Sequence, residues 1–297
     1  MTDDGKTRED ENLERFAVNI PPFPRAAQQV MGMLRDPRVQ IPRVAEVVSL
    51  DQGFATKVLR MANSAYFGLP RKVSNVTEAL VLLGWANVRI VLISASVGPI
   101  LCRGLKSYGM EEGVLWEHSV GSAFAAQMLA KDLEASAYSM AFTSGLLHDV
   151  GKVAIDMQLR GDLRKKFIEV MDTCGEAVAE REVVGHTHAD IGGYLCDRWN
   201  LPPEIAEAIR FHNQPRSSES ALAGVASAAN VLANALLREG REVGIGDFRD
   251  APDGTFVPGE KLLAKVVEEL PSIVASSREL LGGTTEVVPA HAGRDEK

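Results

Sequence analysis

The sequence predicts an all-α protein made of two packed helical subdomains, and three observations lead there. Apolar residues recur at helical spacing in almost every patterned segment, and strand-type alternation is missing. Gly, Pro, Asp and Asn interrupt the pattern at intervals that suit helices of ordinary length. With 297 residues and 45% apolar content, the chain can also bury a substantial core.

Residues 1–12 and 283–297 read as disordered tails, 13–108 as an N-terminal helical subdomain, and 109–282 as a second subdomain closed by a C-terminal helix. In the first subdomain Ile41, Val44 and Val48 share one face, and Pro42 sits where a first turn tolerates it. Asp51 is placed to cap the next helix, which carries Phe54, Val58 and Met61. Gly68 and Pro70 break the pattern, and it resumes through "VTEALVLLGWANVRIVLISASVG". Beyond a loop near Gly109, helical patterns run through "GVLWEHSVGSAFAAQMLAKDLEA", then from Ala137 to Leu159, from Arg181 to Trp199, from Pro202 to His212 and from Ser220 to Glu239. A Gly- and Asp-rich loop precedes a last amphipathic helix over about Lys261–Leu281.

A net charge of −8 argues against broad binding to a phosphate backbone, which depends on clustered Lys and Arg. Lys57, Arg60, Arg71, Lys72 and Arg89 put some positive charge on the first subdomain, and ordinary surface charge accounts for them. The three cysteines, Cys102, Cys174 and Cys196, form no CxxC pair and read as buried thiols in a reducing compartment. The acidic N-terminus lacks the features of a signal peptide, and no uninterrupted apolar run reaches membrane-spanning length, so a cytoplasmic protein is expected.

The histidines carry the functional signal. His118 shares a face with Leu115, Ser122 and Leu129, and His148 follows Ser144 and Gly145 on its own face. His188 aligns with Gly192, Leu195 and Trp199, and His212 continues the face of Leu201, Ile205 and Ile209. A single inward histidine is usually a satisfied core residue. Four of them, with Asp149 beside His148, predict convergence on one pocket able to hold iron, manganese or zinc. His186 falls on another face than His188, and His291 lies in the tail.

The order His118, then His148-Asp149 in "LLHDVGK", resembles the HD superfamily of metal-dependent phosphohydrolases. "NIPPFPRAAQQVMGMLRDP", "SLDQGFATKVLRMANSAYFG", "ALVLLGWANVRIVL" and "THADIGGYLCDRWNLPPEIAEAIRFHNQP" resemble one branch, the HDOD domain, from about Asn19 to Leu237. Asn63-Ser64-Ala65 and Trp199-Asn200-Leu201-Pro202 are the most specific pieces. The resemblance implies a helical bacterial signalling module related to the HD-GYP phosphodiesterases, with an HD-like second subdomain. It carries metal-ligand roles onto His118, His148, Asp149, His188 and His212, and a role at the site for Lys152, which follows the HD pair.

Two expected ligands are replaced. The His-His pair of the phosphodiesterase branch reads His212-Asn213, and its distal aspartate falls at Asn230; the Gly-Tyr-Pro loop is absent after His212. An amide is a weaker ligand than a carboxylate and brings no charge, so two cations become harder to hold. The expected function is therefore intracellular regulation by binding a signalling protein or a nucleotide-type ligand, with at most one divalent or ferric ion and Lys152, Asn213 and Asn230 lining the site. The alternative is a metal-dependent phosphohydrolase acting on a nucleotide or cyclic dinucleotide.

Overall fold

Side chains that accept backbone amide protons start two of the N-terminal helices. In the computed structural model, which describes residues 13–277 except 17, 19, 21, 22, 34, 35 and 37, the first helices are α1 (Arg25–Met33), α2 (Ile41–Ser49), α3 (Gln52–Ala62) and α4 (Val76–Leu101). Pro42 occupies the first turn of α2. Asp51 accepts the Phe54 amide proton at 2.9 Å, as its position predicts, and Asn75 accepts that of Glu78 at 3.1 Å. The long α4 bends at Gly84, whose backbone (φ 69°, ψ 165°) no helix accommodates. The predicted tails at 1–12 and 283–297, the last helix beyond 277 and His291 lie outside the described residues.

The Asn63 amide fastens the irregular segment after α3. Its Nδ2 donates to Leu59 O (2.9 Å) and Val73 O (2.8 Å), and its Oδ1 accepts from Val73 N (2.8 Å). A short turn, with one antiparallel bridge between Leu105 and Met110, leads from α4 into the second half. No strand ladder occurs among the described residues.

There α5 (Val114–Leu129) is the central helix and is buried along most of its length. It packs against α6 (Ala135–Leu147), α12 (Ala221–Ala233) and α14 (Glu260–Ser277), and α4 lies across α5, α6 and α7 (Val150–Gln158). Between α7 and α12 run α8 (Gly161–Cys174), the short α9 (Glu176–Ala179), α10 (His188–Arg198) and α11 (Pro203–Phe211). A π-helical turn, Glu180–Val184, extends α9, and a second, Asn234–Glu239, extends α12. The five-residue α13 (Ile245–Arg249) precedes α14. Buried apolar residues from Phe16 to Val274 form one contiguous cluster. Ala221–Glu239 is long and apolar enough to cross a membrane by length and composition, yet 61% of it is buried inside the bundle.

The structure corrects three expectations. The Ala137–Leu159 segment is not one helical run, because the chain breaks between α6 and α7 at His148-Asp149. The predicted Arg181–Trp199 run is also interrupted, between the π-helical turn that ends at Val184 and α10, which starts at His188. Residues 160–180, for which no element is predicted, contain α8 and α9, and α8 buries only Phe167. Of the cysteines only Cys196 is buried, while Cys102 is half-buried and Cys174 exposed.

Candidate metal centre

The break at His148-Asp149 lets adjacent side chains enter one pocket, which continuous helix would forbid, since neighbours diverge by about 100° around the axis. Two close helix crossings complete it. At Gly145 a Cβ would lie 2.5 Å from Ser122 O, which brings α6 and the His148 end against α5 and His118. At Gly151 a Cβ would overlap the His188 carbonyl oxygen, so α7 and α10 meet backbone to backbone. His188 starts α10 behind a capping box formed by Thr187 and Asp190.

The five residues predicted to converge do so. His118 Nε2 lies 3.2 Å from His148 Nε2, and His188 Nε2 lies 3.3 Å from His212 Nε2. Asp149 stands between the pairs. Its Oδ2 is 3.5 Å from His118 Nε2 and 3.4 Å from His148 Nε2, and its Oδ1 is 3.2 Å from His188 Nε2. All five residues are buried. The donors divide into two triads that share the aspartate, His118–His148–Asp149 and Asp149–His188–His212.

Tautomers follow from the outer partners. His148 Nδ1 faces Gly145 O at 2.8 Å and His212 Nδ1 faces Ile209 O at 2.7 Å; a carbonyl only accepts, so both rings carry their proton on Nδ1. His188 Nδ1 faces the Glu180 carboxylate at 2.8 Å, which also only accepts. Three Nε2 lone pairs therefore point inward, toward one another and toward Asp149. Among the described residues no hydrogen-bond partner reaches Asp149 Oδ1 or His118 Nδ1. Converging lone pairs around an under-satisfied buried carboxylate oxygen fit a cation, and imidazole with carboxylate suits iron, manganese or zinc.

Electrostatics agree with the geometry. Burial, helped by His148, drives the His118 pKa down to about 3 against the pull of Asp149. Burial and the neighbouring His148 and His188 also hold His212 well below the usual imidazole value. Burial pulls His188 down, yet it moves up, because the charge and hydrogen bond of Glu180, together with Asp149, outweigh burial and Lys152. Asp149 stays well below the carboxylate range despite burial, because His148, Lys152 and His188 surround it.

Lys152 is not a solvated helix charge. It is buried, and its Nζ lies 3.0 Å from Asp149 Oδ2 and 2.9 Å from Glu176 Oε1. Those two carboxylates overcome burial and raise its pKa. Asn213 reaches the cluster, with Nδ2 3.1 Å from His188 Nε2. The Asn230 amide oxygen accepts from Asn234 Nδ2 at 2.8 Å, within α12 and its extension. Sequence reasoning missed Tyr108, Glu176 and Glu180. The last two lie in the unassigned segment, where the only hint was a run of acids before the "HTHAD" cap.

Fold and donor set together define a helical protein of the HD superfamily. The chain belongs to the HDOD domain family, which matches residues 20–215. It is 28% identical over 212 residues to an uncharacterized protein of Treponema pallidum, a match covering 68% of this chain and 39% of that one. It is likewise 28% identical over 205 residues to a ribonuclease Y of Thermus thermophilus, covering 68% of this chain and 27% of that protein. The chain thus spans well under half the length of these curated relatives. A crystal structure of an HDOD domain protein of unknown function from Geobacter sulfurreducens superposes with a TM-score of 0.71 at 23% identity, covering 92% of this chain and 99% of that one. One named provisionally as a phosphohydrolase, from Shewanella amazonensis, gives 0.64 at 24% identity, covering 91% and 95%. These structural likenesses bear on the fold alone.

Proposed function

We propose that the chain is a regulatory module that works by binding a signalling protein or a nucleotide-type ligand, that its cluster holds one divalent cation on Asp149, His188 and His212, and that it does not turn over phosphodiesters. The observation carrying this reading is the Lys152 ammonium 3.0 Å from Asp149 Oδ2. An ammonium there takes up lone pairs that a cation beside His118 and His148 would need, and repels that cation directly. In-line phosphoryl chemistry of the two-metal kind needs two ions clamping the attacking and leaving oxygens. The Asp149–His188–His212 triad presents the other carboxylate oxygen, Asp149 Oδ1, 3.2 Å from His188 Nε2, and is backed by Glu180; the donor a cation would displace there is the neutral Asn213 amide on His188 Nε2. A bound ion supplies positive charge that ties α7, α10 and α11 together. The burial of every donor suits a closed structural site better than an open catalytic one.

The phosphohydrolase reading has one feature in its favour, the complete His118–His148–Asp149 triad. Its substrate would be a nucleotide or cyclic dinucleotide, or RNA, since relatives of this chain are named ribonuclease Y. The deciding experiment is elemental analysis of the purified chain, followed by assays on cyclic di-GMP, a generic phosphodiester and single-stranded RNA with iron, manganese or zinc. The expected result is one equivalent of metal and no hydrolysis above buffer. Metal-dependent turnover that disappears in a His148→Ala, Asp149→Ala variant would restore the enzyme.

A further inference from the structure

Three histidines of the cluster have their Nδ1 proton fixed by an outer acceptor, and they are not fixed alike. For His148 and His212 the acceptor is a carbonyl three residues back, Gly145 O and Ile209 O. No side-chain substitution removes such an acceptor. For His188 it is a side chain, Glu180, eight residues earlier and on another element, at 2.8 Å, with the Glu176 carboxylate farther off at 3.5 Å.

Glu180 is built in with unusual completeness. It is fully buried; Oε1 lies 2.8 Å from His188 Nδ1 and accepts the Tyr108 hydroxyl proton at 2.8 Å, and Oε2 accepts the His188 backbone amide at 2.9 Å. Burying a lone carboxylate is costly unless donors surround it, and three distinct donors do so here. It also opens the π-helical turn Glu180–Val184, which closes with Gly185 N on Glu180 O at 3.0 Å. Such wide turns are uncommon and tend to mark functional positions.

We infer that Glu180 is a positioning residue: with Tyr108 it fixes the tautomer and ring orientation of His188, so that Nε2 presents its lone pair to the Asp149–His188–His212 triad. A carboxylate behind an imidazole also makes its far nitrogen a stronger donor, so Glu180 tunes how tightly this triad holds a cation. The metal consequence rests on the one-ion reading above; the tautomer consequence does not.

The experiment compares the full parent chain with Glu180→Gln, Glu180→Ala and Tyr108→Phe. One arm records imidazole 15N–1H correlations of metal-free protein at alkaline pH, where the rings are neutral. The other measures Co2+ affinity by chelator competition, together with the visible spectrum of the bound ion. The parent should show His188 protonated on Nδ1. Glu180→Ala should move that proton toward Nε2 and weaken Co2+ about 10- to 100-fold, the usual range for loss of an outer partner. Glu180→Gln keeps a carbonyl acceptor, so it should retain the tautomer while its cobalt spectrum shifts and its affinity falls by less. Tyr108→Phe should fall between the parent and Glu180→Gln. If Glu180→Ala does not fold, the glutamine spectrum decides. An unchanged tautomer in Glu180→Ala, or a cobalt spectrum and affinity in Glu180→Gln identical to the parent, overturns the inference. A parent that takes up no Co2+ defeats the one-ion reading, while the tautomer comparison still decides the role of Glu180.

Discussion

Gly151 lies against His188 so closely that a single methyl group at its Cα would overlap the His188 carbonyl oxygen. This contact brings the start of α10 onto α7 and His188 Nε2 to within 3.2 Å of Asp149. Backbone against backbone cannot yield as a flexible side chain does. Gly151→Ala should therefore destabilise the fold by about 3 kcal/mol, the upper part of the range for overpacking, and should weaken metal retention further by spreading the triad. Urea unfolding of the metal-free protein measures the first effect and chelator competition the second; an unchanged midpoint would refute the packing argument.

The two triads share Asp149 but differ in what else touches it. His188→Ala and His212→Ala should each abolish stoichiometric metal in the purified protein, whereas His118→Ala should leave about one equivalent, judged against the three-ligand sites proteins ordinarily use. Lys152→Met removes the ammonium from Asp149 Oδ2. That variant should take up a second equivalent when metal is supplied in excess. Equal loss in His118→Ala and His212→Ala would argue for a single five-ligand site.

Asn213 already reaches the cluster, with Nδ2 3.1 Å from His188 Nε2. Asn213→His should add an imidazole there and slow metal loss to a chelator by about tenfold, the low end of what one ligand-shell change does. Asn230→Asp is expected to add little by itself, because that side chain is engaged with Asn234. A larger gain from Asn230→Asp than from Asn213→His would reverse this ranking.

The metal-free protein should lose stability in acid. Burial holds the His118 pKa at about 3 in the fold against an ordinary 6.5. Between those values the unfolded chain binds a proton that the folded chain does not, so this contribution rises with pH through the window and is lost on acidification. His212 is also held low and acts in the same direction, and the depressed carboxyls of Asp149 and Glu180 contribute stability that is lost as pH falls through their folded values. His188 has the opposite sign: its pKa is raised, so its share is present below 6.5 and lost as pH rises through the folded value. The two depressed imidazoles outweigh the one that is raised, and urea midpoints should fall between pH 6.5 and 4. A His118→Gln variant should flatten that slope.

Much of this was legible in the linear pattern. The helical spacing of apolar residues predicted the all-α class, and the faces of His118, His148, His188 and His212 predicted their convergence, because each face is set within a few residues of its own helix. The Asp51 cap was readable for the same reason. Even the motifs that carried the family resemblance have local physical roles. Asn63 clamps the loop up to Val73, and Asn200, the one non-glycine residue with positive φ among those described, turns the chain between α10 and α11.

Other features depend on what lies opposite in space. Nothing in "GLLHDVGK" shows that the helix breaks between His148 and Asp149, since the hydrophobic pattern runs through the break. Lys152 is given a place at the site by its position after the HD pair, but its burial as a counter-ion between two carboxylates depends on Glu176 arriving from α9. Glu180 lies in a charged stretch with no apolar stripe, and its role appears only when His188 and Tyr108, 8 and 72 residues away, close around it. The sequence by itself determined which side chains face inward, because periodicity is a local property of the helix. Tertiary structure alone decided which inward groups share charge, proton and lone pair, because those energies depend on distances of about 3 Å between segments that the chain brings together only on folding.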